Sequence, residues 1–409
     1  MKTTGLVTEY NPFHNGHKYH IEKARETTGA DCVIAVMSGD FVQRGSCAVT
    51  DKYTRTAMAL AEGASLVLEL PVCFATGSAE FFARGAVRIL SQTGVAESIC
   101  FGCEHADIRL FHTFCAVLAE EPAEFRRILK SELASGLPFP AARHQALSAC
   151  LPELEADTFL QSPNNILGLE YVKALYQEHA AITPFPIQRI GNGYHDESLS
   201  GIYSSATAIR QGIHKKQISP SALKNIPAQA AAILEQQLTR RGSLDADSFS
   251  PLLKYALLSE NAASLCRYQD MTKALANRIM NRLNDFIDIT SFTSLLKTRE
   301  LTYSRISRAL LHVMLGLTDE DLARALRPEN SYLRILGFRK DAGCLLKELK
   351  QKSTVPIITK PADAASLLGT SAFKTFEQDI RAAHIYETIM TDTYHTPFQH
   401  EYTRTPVII

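Results

Sequence analysis

The chain has 409 residues, 45% of them apolar and 21% charged, with 43 basic residues balanced by 43 acidic ones. Such a length supports a large core and two domains in a globular composition. The even charge balance excludes a global field that gathers polyanions, so any nucleic-acid contact must rest on a local basic patch. No apolar run is long enough to span a bilayer, and the N-terminus lacks the zones of a signal peptide. Nine scattered cysteines point to a reducing cytosol, and a cytoplasmic location is expected.

Residues 4–7 form the first predicted strand, and the chain then runs into His14-Asn15-Gly16-His17 and a predicted helix over 19–27. A strand entering H-x-G-H and then a helix is a place to hold nucleotide phosphates. Free N–H groups and a positive dipole end face an anion there, and Gly16 is expected to let the backbone approach the ligand. Two imidazoles three residues apart can both donate to a phosphate whose charge grows in a transition state. Further strands are expected at 32–37, 66–70 and 98–101, alternating with helices at 51–62 and 79–92. Cys100 and Cys103 read as strand-end thiols rather than metal ligands. The rhythm predicts an α/β fold, a Rossmann-like parallel sheet covered by helices. Its loops 10–17, 38–45, 71–77 and 102–105 should converge on the H-x-G-H motif.

Residues 107–151 read as helical, and Pro163-Asn164-Asn165 opens another helix over 166–177. A strand over 186–190, carrying Arg189, leads to Gly191-Asn192-Gly193-Tyr194-His195-Asp196. In Ser204-Ser205-Ala206-Thr207-Ala208-Ile209-Arg210, Ser205 caps a helix bearing Thr207 and Arg210, a second anion site. The texture changes near 215–220. We expect a catalytic domain over 1–218 with a helical insertion at about 107–180, then a mostly helical region over 219–409. That region reads as helix over 222–349, with a short strand at 355–359. Within it, Ile306, Leu310, Val313 and Leu317 recur at helical spacing, with Arg305, Arg308 and His312 on another side and Lys297 and Arg299 just before. A basic side is usually a solvated face, but few acids accompany this one, so phosphate contact is a fair reading.

The paired H-x-G-H and S-A-T-x-I-R elements resemble those of the HIGH-type nucleotidyltransferase superfamily. Its second motif usually reads I-S-S-T-x-I-R, and Ala206 stands where that pattern has its second Ser. A closer resemblance covers nearly the whole chain. Val7-Thr8-Glu9-Tyr10-Asn11-Pro12-Phe13-His14-Asn15-Gly16-His17, Ser38-Gly39-Asp40-Phe41-Val42-Gln43-Arg44-Gly45, Asp51-Lys52-Tyr53-Thr54-Arg55, Gly191 to Asp196, and Leu296-Lys297-Thr298-Arg299 with Arg305, Ile306 and Arg308 are similar to the bacterial tRNA(Met) cytidine acetate ligases. The resemblance implies N4-acetylation of the wobble cytidine of elongator tRNA(Met) from acetate and ATP. It also implies an ATP site made of Val7 through His17 with Lys18, Tyr19 and His20, plus Gly102, an Asn of the pair Asn164 and Asn165, and Arg189.

The residues suit such chemistry. Acetate needs activation, and acetyl-adenylate supplies an electrophilic acyl carbon. His14 and His17 are placed to stabilise the α-phosphate, and Thr207 and Arg210 the β- and γ-phosphates. Mg²⁺ is expected, held through ATP phosphates, with no metal ligands assigned in the protein. Arg44, Lys52 and Arg55 are either solvated loop charges or contacts to phosphate or tRNA. Asp40 is a candidate carboxylate beside the metal or the accepting amine, or a cap of its loop at Gly39. Phe41 and Tyr10 are candidate platforms for the unstacked cytidine. The competing reading is an adenylyl- or cytidylyltransferase acting on a small phosphorylated metabolite.

Overall fold

The computed structural model describes residues 1–153, 159–160, 162–189 and 204–409. The string 191–196 therefore lies outside the described residues. Twelve strands are used below, in chain order: β1 (Thr3–Thr8), β2 (Cys32–Ser38), β3 (Phe41–Val42), β4 (Ser46–Cys47), β5 (Leu66–Leu70), β6 (Ser98–Cys103), β7 (Thr183–Gln188), β8 (Ile213–His214), β9 (Gln217–Ile218), β10 (Leu333–Phe338), β11 (Ile357–Ile358) and β12 (Val407–Ile408).

The first half builds the expected sheet. Strand β1 lies between β2 and β6, parallel to both, with Leu6 opposite Ala35 on one side and Cys100 on the other. Strands β5 and β7 extend the parallel array at its two ends. Strand β2 is buried at every position, as expected for a strand covered on both faces. The chain leaves β1 for β2 and later returns to β6 on its other side. The crevice at the carboxyl ends of β1 and β6 is thus a topological switch point, where α/β sheets bind ligands.

The second half is less separate than its composition suggests. Strand β10 joins the same sheet antiparallel to β5, and β11 and β12 pair with β10. The sheet runs across the expected boundary at 218. The helical region has its own apolar core, but Phe41, Cys47 and Val72 from the first half are part of it. The cysteines are free, with Cys100 against Thr4 and Cys103 donating to the carbonyl of Ile187.

Candidate active site

The helix after β1 spans Asn15–Thr28, four residues earlier than the periodicity predicts. His14 is its N-cap, an unusual choice for a position where Ser, Thr, Asp and Asn prevail. Its Nδ1 accepts from the Gly16 N–H at 3.1 Å, and the Nδ1 of His17 accepts from the His14 N–H at 3.2 Å. Both rings are therefore fixed with Nδ1 as acceptor, and the neutral ring carries its hydrogen on Nε2. They stack with centroids 3.7 Å apart. Burial, with Arg189 and Arg210 nearby, pushes His14 down to about 3. Burial and His14 likewise hold His17 well below the usual histidine range. The pair is a set of two neutral donors. Gly16 serves it directly: a Cβ there would lie 2.9 Å from Cε1 of His14. The space at Gly16 is filled by the His14 imidazole.

These rings open into a cleft of about 300 Å³. Val7, Thr8, Glu9, Tyr10, Asn11, His14, Gly16, His17, Tyr19, His20, Arg44, Gly102, Asn164, Arg189, Ser205, Thr207 and Arg210 all line it. In the same cleft, the helix Ala206–Gln211 is capped by Ser205, which accepts from the Ala208 N–H at 3.1 Å. Arg210 donates to the carbonyl of Asn11 at 2.7 Å and to the Thr207 hydroxyl at 3.0 Å. Three guanidinium groups, of Arg44, Arg189 and Arg210, thus line one cavity, an environment for a polyphosphate. The free N–H groups expected at the first helix are taken, Asn15 by the Asn225 carbonyl, Gly16 by the His14 ring, and His17 and Lys18 by the His14 carbonyl, so the imidazoles are the donors there.

Other expected ATP contacts lie elsewhere. Pro12 and Phe13 are buried, with Phe13 in the core beneath the cleft. Lys18 pairs with Glu62 at 3.0 Å. Asn15 donates through its backbone to Asn225 and through its side chain to Lys224. Asn165 is fully buried, accepts from the N–H groups of Glu104 and His105 and donates to the Phe159 carbonyl. Asn164 reaches the cleft, while Asn165 holds the loop after β6.

The largest corrections concern the cations after β2. Lys52 is 1% exposed and lies 2.7 Å from both Glu69 and Glu401. Arg55 is fully buried, donating to the carbonyls of Glu9, Ser38, Gly39 and Thr50. Neither reaches solvent, so neither is placed to touch tRNA. Both tie loops to the sheet, because buried guanidinium and ammonium groups must be paired. Asp40 is buried below the cleft, accepts from the Lys52 N–H at 2.7 Å, and has no place among the lining residues. Burial pushes it up to about 7 despite Lys52 and Arg55. Phe41 packs against Phe249 and Tyr386. Tyr10 is 1% exposed and braces His17 edge-on. Neither ring offers a free face for a base.

Lys297 and Arg299 are exposed and Arg305 half-buried on the helical half, while Arg308 pairs with Asp270 at 2.8 Å. His312 is not on this face: it is buried between the carbonyls of Gln269 and Thr76. The helix Tyr303–Leu315 meets the β3–β4 hairpin, whose turn carries Gln43 and Arg44 into the cleft. Ser307 donates to the Gly45 carbonyl at 2.8 Å. Gln43, Tyr171 and Gln188 line the cleft but were not singled out from the sequence. Only Gln43 had a signal, its place in the Ser38-to-Gly45 string.

A family model for the HIGH nucleotidyl transferases matches residues 1–401. The tRNA(Met) cytidine acetate ligase of Clostridium perfringens is 40% identical over 94% of this chain and 95% of its own length. That of Acetivibrio thermocellus is 37% identical over 94% of each. This chain belongs to the tRNA(Met) cytidine acetate ligase family. The crystal structure of apo Thermotoga maritima TmcAL superposes over all of both chains with a TM-score of 0.94 at 31% identity. The α-thio ATP complex of that enzyme superposes with 0.90 at 30% identity. Within the tRNA(Met) cytidine acetate ligase family, then, the described cleft belongs to a fold that has been crystallised with an ATP analogue.

Proposed function

We propose that this protein is an ATP-dependent ligase that joins acetate to N4 of the wobble cytidine of elongator tRNA(Met). One observation carries the chemistry: His14 and His17 are locked as neutral Nε2 donors in the cleft that Thr207 and Arg210 also line. A carboxylate attacking the α-phosphate builds negative charge there as pyrophosphate leaves. Preorganised donors in a buried site stabilise that charge without reorganising. Arg210 and Thr207, already hydrogen-bonded to each other, suit the β- and γ-phosphates. Asn164 and Gly102 also line the cleft and suit the nucleoside, while Arg189 adds a cation close enough to lower His14, His17 and His20. The names of the relatives support the acceptor and the acid.

Mg²⁺ would accompany the triphosphate. Its ligands would be mainly phosphate oxygens and water. Its chemistry would be to neutralise the departing pyrophosphate. Transfer to cytidine then needs positioning more than activation, because the mixed anhydride is already reactive. Lys297, Arg299, Arg305 and Arg44 lie on the helical half and on the hairpin it meets, and they suit tRNA phosphates, which position rather than select the substrate.

The test is ATP–pyrophosphate exchange across small carboxylates, with and without tRNA, followed by nucleoside analysis of the tRNA. Acetate-dependent exchange and N4-acetylcytidine are expected. Exchange with no carboxylate requirement, but with a phosphorylated metabolite, would favour the competing nucleotidyltransferase reading.

A further inference from the structure

We propose that Glu9 accepts the proton from the attacking cytidine amine through its Oε2 atom. The proposal rests on the ligase reading above. Among the described residues lining the cleft, Glu9 is the sole carboxylate. It is half-buried at the end of β1, where Tyr10 turns the chain with φ of 49°. The orientation of Glu9 is fixed from two sides. Its Oε1 accepts from the Gln43 N–H at 2.9 Å, and its carbonyl accepts from Arg55 at 2.7 Å. Oε2 has no hydrogen-bond partner among the described residues.

His14, His17, Tyr171, Arg44 and Arg55 are poor acceptors. His14 and His17 use Nδ1 to accept backbone N–H groups, so their free nitrogens carry hydrogen. Tyr171, from the helix Pro163–Gln177, has its hydroxyl pushed up by burial and then by the charge of Glu9. Arg44 on the hairpin and Arg55 below are cations without basic capacity. The hairpin contact also sets direction. Gln43, which holds Oε1, sits in the turn that rests on the helix bearing Arg305 and Arg308. The carboxylate is therefore anchored from the side on which a polyanion would dock.

In the step itself, the N4 lone pair forms a bond to the acetyl carbon. The bond from that carbon to the AMP oxygen breaks, and its electron pair leaves with the phosphate. One N4 hydrogen passes to Oε2 and then to water. The products are N4-acetylcytidine, AMP and a proton.

Glu9→Gln keeps an oxygen for the Gln43 N–H and removes the basicity. Two rates are measured on the full chain: acetate-dependent ATP–pyrophosphate exchange, and single-turnover transfer to tRNA from chemically prepared acetyl-adenylate. Transfer is expected to fall at least about a hundredfold more than exchange, within the range of general-base contributions. Glu9→Asp, which keeps a carboxylate, should transfer at least about tenfold faster than Glu9→Gln. Equal losses in both rates, with or without a changed Mg²⁺ requirement, would overturn the proposal in favour of a nucleotide-binding role. An unchanged transfer rate would overturn it as well. Should the unsubstituted protein itself fail to transfer from acetyl-adenylate, the ligase reading fails instead.

Discussion

Replacing Lys52 with methionine should destabilise the fold rather than weaken RNA binding. The ammonium sits in a buried network in which Lys52 and Arg334 face Glu69 and Glu401, with the Asp40 and Arg55 pair at its margin, Asp40 4.0 Å from the ammonium. These side chains are at most 6% exposed. Tyr53 adds a hydrogen bond to Glu401 at 3.0 Å. The set is neutral as it stands. Methionine fills most of the same volume but leaves one buried negative charge uncompensated. Removing one partner of such a pair costs about 3–5 kcal/mol. Burial pushes Glu401 up, but Lys52 and Arg334 together hold it well below the usual carboxylate range.

The deficit has a predictable pH dependence. Without Lys52, a carboxylate of the set takes a proton in the folded state at a pH where the unfolded chain, near pKa 4.3, has released it. The folded state then binds more protons than the unfolded one, so the stability of the variant falls as pH rises above about 4.3. Equilibrium denaturation at pH 5 and pH 8 should show the larger loss at pH 8. Adding Glu401→Gln restores neutrality, and the double variant should lose less than the sum of the singles. A Lys52→Met protein within about 1 kcal/mol of the parent, but with weakened tRNA binding, would refute the burial argument and return Lys52 to the RNA interface.

Other outcomes follow from the same geometry. His17→Ala removes one Nε2 donor and should lower acetate-dependent exchange by about 10²–10³-fold, measured at saturating ATP; a loss under tenfold would mean that His14 suffices. Asp40, pushed up to about 7, binds a proton in the folded chain where the unfolded one has none, so its contribution to stability falls as pH rises from about 4 to about 7 and is flat above. Asp40→Asn should flatten that part of the denaturation profile, and identical slopes would contradict the assignment. Arg299→Ala should weaken tRNA binding and reduce the slope of log K against log salt by somewhat under one, as loss of one phosphate contact requires. Gly45→Ala would set a Cβ 2.4 Å from the Arg308 nitrogen at φ of 77°, and a loss of about 1–3 kcal/mol is expected in denaturation, with transfer impaired.

Much of the first half was legible because its signals are local. Strands such as Cys32–Ser38 and Leu66–Leu70 are short apolar runs, and the alternation with amphipathic helices fixes a parallel sheet. Both anion motifs were readable for the same reason. What escaped depends on long-range pairing. The run Leu333–Phe338 looks like a helix segment until β5 supplies its edge. Lys52 reads as a solvated loop charge or a phosphate contact, since nothing nearby in sequence announces Glu69 and Glu401. The helix start at Asn15 was missed because its cap is a histidine. Phe41 is a candidate base platform from its loop position, yet Phe249 and Tyr386, more than two hundred residues away, enclose it.

The same long-range contacts constrain how activation and transfer can be separated. One might delete the residues beyond 218 and ask whether adenylation survives. That deletion removes β10, β11 and β12 from the central sheet and Arg334 and Glu401 from the network around Lys52. It also removes Ser307 from beneath the hairpin that holds Gln43 against Glu9. A truncated chain that loses exchange would therefore report a broken sheet, not a tRNA requirement. The two half-reactions share a wall built by backbone contact between Gly45 and the helix Tyr303–Leu315. Only substitutions that keep that wall, such as Glu9→Gln on one side and Arg299→Ala on the other, can assign each half-reaction to its own residues.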